Sequence, residues 1–268
     1  AARQHEAMDR EARSHHLATQ LLSSDAGARA KAAEALIKER SLSSAEGCCA
    51  VALGVDPRDA SPLDQEKSAQ AVARTLRFVR ETSTATVVGG VLDDGLGMLV
   101  FPRPVVVPRL SRILEDPQLV PVRAGIGPLL PLGEVHRSFE RARLAWRASW
   151  LAPESHEAVT TWENIGLDGT LARLTLEDFL PEDLPPSTRD LLAAVDSPVL
   201  LDTLEAYLSA GGDAQQTART LNIHRSTLYY RLDKLRAVIS GDLGDGIFRR
   251  ELHTGLRMAR MAGLLPEA

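Results

Sequence analysis

The side chains best suited to do chemistry lie in one short stretch, GGDAQQTARTLNIHRSTLYYRLDKLRAVIS, residues 211–240. Arg225, Ser226 and Thr227 follow His224 where a helix is expected to begin. An arginine at the first turn of such a helix can bind a guanine edge through two hydrogen bonds, and Ser, Thr and Tyr serve bases or phosphates. Ser226, Thr227, Tyr229, Tyr230 and Lys234 fall on the polar face and its flanks. Between His224 and Ile239 the formal charge is +3, from Arg225, Arg231, Lys234 and Arg236 less Asp233. The chemistry on offer is recognition of double-stranded DNA. An exposed tyrosine pair needs a partner, which points the same way.

The elements that must position these groups are readable on either side. Leu201, Leu204 and Leu208 form the apolar stripe of a helix that Gly211-Gly212 brings to an end. Asp213 is expected to cap the next helix, with Gln216 completing a capping box. Free backbone N–H groups at that helix start, near Gln215 and Gln216, would suit a phosphate. Ala218 is small where two helices must cross closely. Asn222 falls at a turn that calls for positive φ, where Asn is the best substitute for Gly. Leu221, Ile223 and Leu228 supply an apolar wedge, and Leu228, Leu232, Leu235 and Ile239 line one side of the second helix. Together these features specify a helix-turn-helix. An ordinary helical hairpin is the plainer alternative.

The rest of the chain reads as an α+β protein. Residues 3–40 are expected to be helical, interrupted at Ser23 to Gly27, with a weak apolar face at Ala32, Ala35, Leu36 and Ile37 suited to packing on the next domain or, alternatively, to leading out of an upstream domain as a signalling helix. CCAVALGV (48–55) suits a central strand. After the turn-rich DPRDASP, helical spacing returns at Ala69, Val72, Ala73, Leu76 and Val79. TATVVGGVL and LGMLVF are strand-like and joined by Asp93-Asp94-Gly95, a hairpin signal. A helix near 105–115, a strand at VPVRAGIG and a helix marked by Val135, Phe139, Ala142, Trp146 and Ser149 complete the order β-α-β-β-α-β-α. This is a split βαβ arrangement with helices expected on one face of an antiparallel sheet. The expected divisions are an N-terminal helical segment (1–43), a middle domain (44–152), a proline-rich helical connector (153–197) and an all-α helix-turn-helix domain (198–268).

Composition excludes several classes. The 268 residues hold 44% hydrophobic and 25% charged residues, ordinary for a water-soluble domain. No apolar run reaches the roughly 20 residues of a membrane span, and the polar start lacks a secretory core, so a cytoplasmic protein is expected. The two cysteines, Cys48 and Cys49, are adjacent and read as buried strand residues. The seven histidines show no ligand spacing, so no metal or cofactor is expected. The net charge of −5 opposes DNA globally, but binding depends on where positive groups cluster. The first residue is Ala rather than Met, which allows for a longer protein with a sensor domain upstream.

The run TARTLNIHRSTLYYRLDKLRAV resembles the C-terminal helix-turn-helix of PucR/CdaR-type transcriptional regulators. His224, Arg225, Thr227, Leu228, Tyr230, Arg231 and Leu232 stand where that pattern expects them. Ser226 replaces a usual Asn, and Tyr229 a commonly basic residue. The likeness extends through LLDTLEAYLSAGGD before and SGDLGDGIFRRELHTGLRMARM after, about 70 residues. VRAGIGPLLPLGEVHRSFERARLAW is similar to the end of the GGDEF-like, nucleotide-cyclase-like domain these regulators often carry. The resemblance implies an effector-responsive regulator of bacterial origin. One helix-turn-helix supplies few base contacts, so a homodimer or larger assembly is expected, with DNA contacts from Gln215, Gln216, His224, Arg225, Ser226, Thr227, Tyr229, Tyr230, Arg231 and Lys234. The middle domain is expected to be a degenerate one, without catalysis. A cyclase needs carboxylates on its first strand to hold Mg²⁺. Cys48 to Val55 offers none, and Asp93 and Asp94 read as turn formers. A divergent cyclase-type enzyme and a helical protein-interaction module are the rival readings.

Overall fold

The computed structural model of the protein describes residues 2–39, 41–42, 47–56, 62–115 and 122–266. Residues 57–61, most of the expected DPRDASP turn, lie outside the described residues. The chain divides into two compact units, Ala1–Leu174 and Thr175–Ala268.

The N-terminal unit is organised by β1, Cys49–Gly54, whose six residues are all buried. It pairs antiparallel with β3 (Gly97–Phe101) and with β4 (Arg123–Ile126), so that Val51 lies opposite Leu99 on one side and Ile126 on the other. β2 (Val88–Val91) extends the sheet beyond β3, and β5 (Val159–Thr161) runs parallel beside β4. The order is β2-β3-β1-β4-β5. Side chains alternate along a strand, so a strand that is apolar throughout must be covered on both faces. Cys49, Val51 and Leu53 pack with α3 (Pro62–Thr82) and α4 (Val107–Leu114). Ala50 and Ala52 pack with α1 (Ala2–Leu21), α2 (Ala26–Lys38) and α5 (Val135–Leu151). The expectation of helices on one face is thereby corrected. α3 and α4 supply that layer, and the second apolar face of β1 required another.

The N-terminal helices are part of this unit. Leu17, Leu21 and Leu36 are buried in its core, while Ile37 is 41% exposed. The break between α1 and α2 is set by Asp25, whose carboxylate accepts from the N–H groups of Gly27 and Ala28. α5 lies directly on β4: a Cβ at Gly125 would stand 1.9 Å from the Ala142 carbonyl oxygen. Gly95, at φ 81, closes the β2–β3 hairpin, and the Asp94 carboxylate accepts from the Leu96 N–H at 3.2 Å. Asp94 also pairs with Arg143 at 3.1 Å.

The stretch expected to connect the domains is divided between the two units. β5 and the short α6 (Asp168–Leu171) belong to the first, where His156 Nε2 meets Asp168 Oδ2 at 2.7 Å. α7 (Pro186–Ala194) belongs to the second. Prolines there start helices instead of breaking them: Pro186 begins α7 and Pro198 begins α8 (Pro198–Ser209). A proline in the first turn loses no intrahelical hydrogen bond. The remaining helices are α9 (Ala214–Thr220), α10 (Arg225–Arg236) and α11 (Gly246–Met261). Their core joins Leu191, Leu201, Leu204, Leu228, Leu232, Leu235 and Leu252, all at most 1% exposed. Among the described residues no helix is long and apolar enough to cross a membrane.

Candidate DNA interface

α9 begins at Asp213, whose Oδ1 accepts from the N–H groups of Gln215 at 2.7 Å and Gln216 at 3.0 Å. These bonds hold its carboxyl below the usual carboxylate range, the Gln216 bond contributing most. The reciprocal arm of the expected capping box is replaced, because the Asp213 N–H donates to the Ala210 carbonyl. The cap also corrects the expected phosphate site. The Gln215 and Gln216 amides expected to be free for an anion are engaged by the Asp213 carboxylate, and the side chains of both residues are exposed.

The turn after α9 is a Schellman motif. The Ile223 N–H donates to Ala218 O and the Asn222 N–H to Arg219 O, with Asn222 at φ 50. Among the described residues Asn222 is the non-glycine residue with positive φ. Ala218 is 6% exposed, and Ile223 packs at the edge of the core, as the wedge requires. α10 then starts with His224 as its cap: Nδ1 accepts from the Ser226 N–H at 3.3 Å and lies 2.8 Å from the Ser226 hydroxyl. His224 thus orients the first turn, a use of this side chain that the sequence pattern did not suggest.

Leu228, Leu232 and Leu235 are fully buried beneath α10. Arg225, Ser226, Thr227, Tyr229, Tyr230 and Lys234 are all exposed on the other side, Tyr229 by 47% and Tyr230 by 61%. Lys234 Nζ stands 4.6 Å over the Tyr230 ring, so a cation and an aromatic surface are offered together. Arg225 reaches Gln215 Oε1 at 3.5 Å, which brings the two helices' polar groups into one patch. Arg231 departs from the rest. It is half-buried, and its Nη1 donates to Thr203 Oγ1 on α8 at 3.0 Å. The Thr203 hydroxyl donates in turn to Val199 O, so the buried group is satisfied twice. The helical period accounts for this: at about 100° per residue Arg231 lies within about 60° of Leu228 and about 40° of Leu235.

A second clamp went unread in the sequence. Arg260 on α11 meets Glu205 and Asp202 on α8, both at 2.6 Å, and Arg257 meets Glu205 at 3.5 Å. The legible signal was a matched pair of i, i+3 spacings, acids at 202 and 205 and arginines at 257 and 260.

A tri-helical support, a Schellman turn and an exposed cationic helix define a helix-turn-helix. Residues 200–258 match the PucR C-terminal helix-turn-helix domain. A stretch of 62 residues is 37% identical to the purine catabolism regulatory protein of Bacillus subtilis (strain 168), covering 23% of this chain and 12% of that protein's length. Over 94% of this chain and 98% of the other, the protein aligns with the crystal structure of a regulator of polyketide synthase expression from Bifidobacterium adolescentis, with 18% identity and a TM-score of 0.36.

Proposed function

We propose that this protein is a sequence-specific transcriptional regulator, not an enzyme, in which α10 enters the major groove of double-stranded DNA. The observation that carries the proposal is the first turn of α10. Arg225 and Thr227 project there from a helix pinned by three buried leucines and a capped, Schellman-type turn. Such rigidity is what base readout requires, because a hydrogen-bond pair discriminates only when its donors are held in place. Arg225, Ser226 and Thr227 are assigned to base edges. Gln215, Gln216, Tyr229, Tyr230 and Lys234 are assigned to the flanking backbone, with His224 and Arg231 orienting the helix that carries them.

In this reading the N-terminal unit is a degenerate cyclase-like domain that receives a small-molecule effector or the signal of an upstream sensor. Its split βαβ order supports the kinship. Its chemistry supports silence, since β1 carries no carboxylate and Asp94 is engaged by the turn and by Arg143. A single helix-turn-helix reads few bases, so the protein acts as a homodimer or larger assembly on paired half-sites, in the cytoplasm where bacterial DNA lies.

Selection from a random duplex pool tests the proposal, comparing wild type with Arg225→Ala at several salt concentrations. One enriched motif, relaxed at a single position in the variant, is the expected result. Binding that enriches no sequence, or that does not weaken as salt rises, would overturn it.

A further inference from the structure

Between the C-terminal end of α3, the end of β3 and the start of α4 lies a cleft built entirely from the N-terminal unit. Its enclosed volume is about 60 Å³, so a molecule bound there would be compact and partly open to solvent. The floor is apolar. Val79, Phe101 and Leu110 are buried there, and Ile113 is half-buried beside them. At the mouth Val106 is 62% exposed, an apolar side chain left in water.

Two arginines, Arg103 and Arg109, line the same cleft. Arg103 donates to Thr84 Oγ1 at 2.7 Å, and Arg109 donates to the Thr82 carbonyl. Both acceptors are neutral. Among the described residues lining the cleft none is acidic, so its two formal charges are both positive in a chain of net charge −5. Arginine carries five N–H donors in a fixed fork, and each of these arginines commits one nitrogen to the protein. What remains is donor capacity on two residues that border an apolar surface.

We propose that this cleft binds a small organic carboxylate, its compact apolar body on the floor and its carboxylate against Arg103 and Arg109. A carboxylate matches the guanidinium fork in bidentate fashion, and the floor requires that the anion have an apolar body. The open shape favours a ring or short branched chain over a long one. The site stands on its own lining residues and does not depend on the DNA reading.

Calorimetric titration of the full chain tests it, using benzoate, 3-phenylpropanoate and hexanoate, the matching amides, and inorganic phosphate. At least one acid is expected to bind, about tenfold or more tightly than its amide, the difference a charge-assisted hydrogen bond makes. Phosphate is expected to bind more weakly than that acid. Arg103→Gln and Arg109→Gln should each weaken the acid about tenfold and leave the amide unchanged. Arg109 also holds a backbone carbonyl, so its variant is checked by thermal melting; Arg103→Gln, which gives up only a threonine hydroxyl, provides the independent reading. No binding by any of the three acids, equal affinity for acid and amide, phosphate binding as tightly as the best acid, or unchanged affinity in both variants would each overturn the proposal.

Discussion

Arg225 and Arg231 lie on one helix and differ in what surrounds them. Arg225 is exposed at the first turn, and Arg231 is half-buried against Thr203. Replacing Arg225 with Ala should remove a base contact worth about 1–3 kcal/mol and relax one position of the preferred site. Replacing Arg231 with Ala should weaken all sequences alike and lower the melting temperature, because it loosens α10 from α8. Binding to a set of single-base operator variants separates the two. A change of base preference in Arg231→Ala would assign that side chain to readout after all. The cysteines give a second prediction at this scale. Burial pushes the Cys48 thiol up to about 11 and the Cys49 thiol up to about 12, from an ordinary 9.0. The folded state therefore favours the neutral thiol. Its contribution to stability is complete below about pH 9 and is lost as pH rises toward 11 and 12. Urea midpoints at pH 8 and pH 10.5 should fall further in wild type than in a Cys48→Ala/Cys49→Ala protein, and equal falls would refute the assignment.

At the scale of elements, α10 depends on what lies beneath it more than on its own propensity. Leu232 is fully buried at the centre of the C-terminal core. Leu232→Ala should destabilise the fold by about 2–5 kcal/mol through lost burial and an incompletely collapsed cavity. Denaturant unfolding followed by the circular dichroism of the helical unit reads this directly, and a loss below about 1 kcal/mol would mean that the site collapses freely. Helix ends were more legible than helix partners. Asn222 announced its positive φ, and Gly211-Gly212 announced the end of α8, because both conformations are set within a few residues. The His224 cap was not legible, since histidine serves as often in other settings. β5 has only three residues, Val-Thr-Thr, too few for a period to show, and it is a strand because β4 offers it an edge.

For the whole molecule, charge placement outweighs net charge. The chain carries −5, yet α10 carries +3, from Arg225, Arg231 and Lys234 with Arg236, less Asp233. Affinity for operator DNA should accordingly fall steeply with salt, log-linearly, as phosphate contacts displace counterions. Sedimentation equilibrium should show a dimer or larger species at micromolar concentration, with operator DNA taking up one copy per half-site and so two per pair. Monomers alone, with and without operator, would count against the assembly proposed here.

The sequence by itself determined the helix-turn-helix. Its cap, small crossing residue, left-handed turn and leucine stripe are local features, each fixed by neighbours within about two helical turns. It also determined that β1 is central, because only a buried strand is apolar at every position. The tertiary structure decided which helices cover the second face of that strand, and that α1 and α2 join the sheet instead of standing apart. It decided as well that Arg231 turns inward and that Arg103 and Arg109 line one apolar cleft. These outcomes depend on pairings between distant parts of the chain, and hydrophobic burial, which drives them, is non-directional and leaves no periodic mark of its partner.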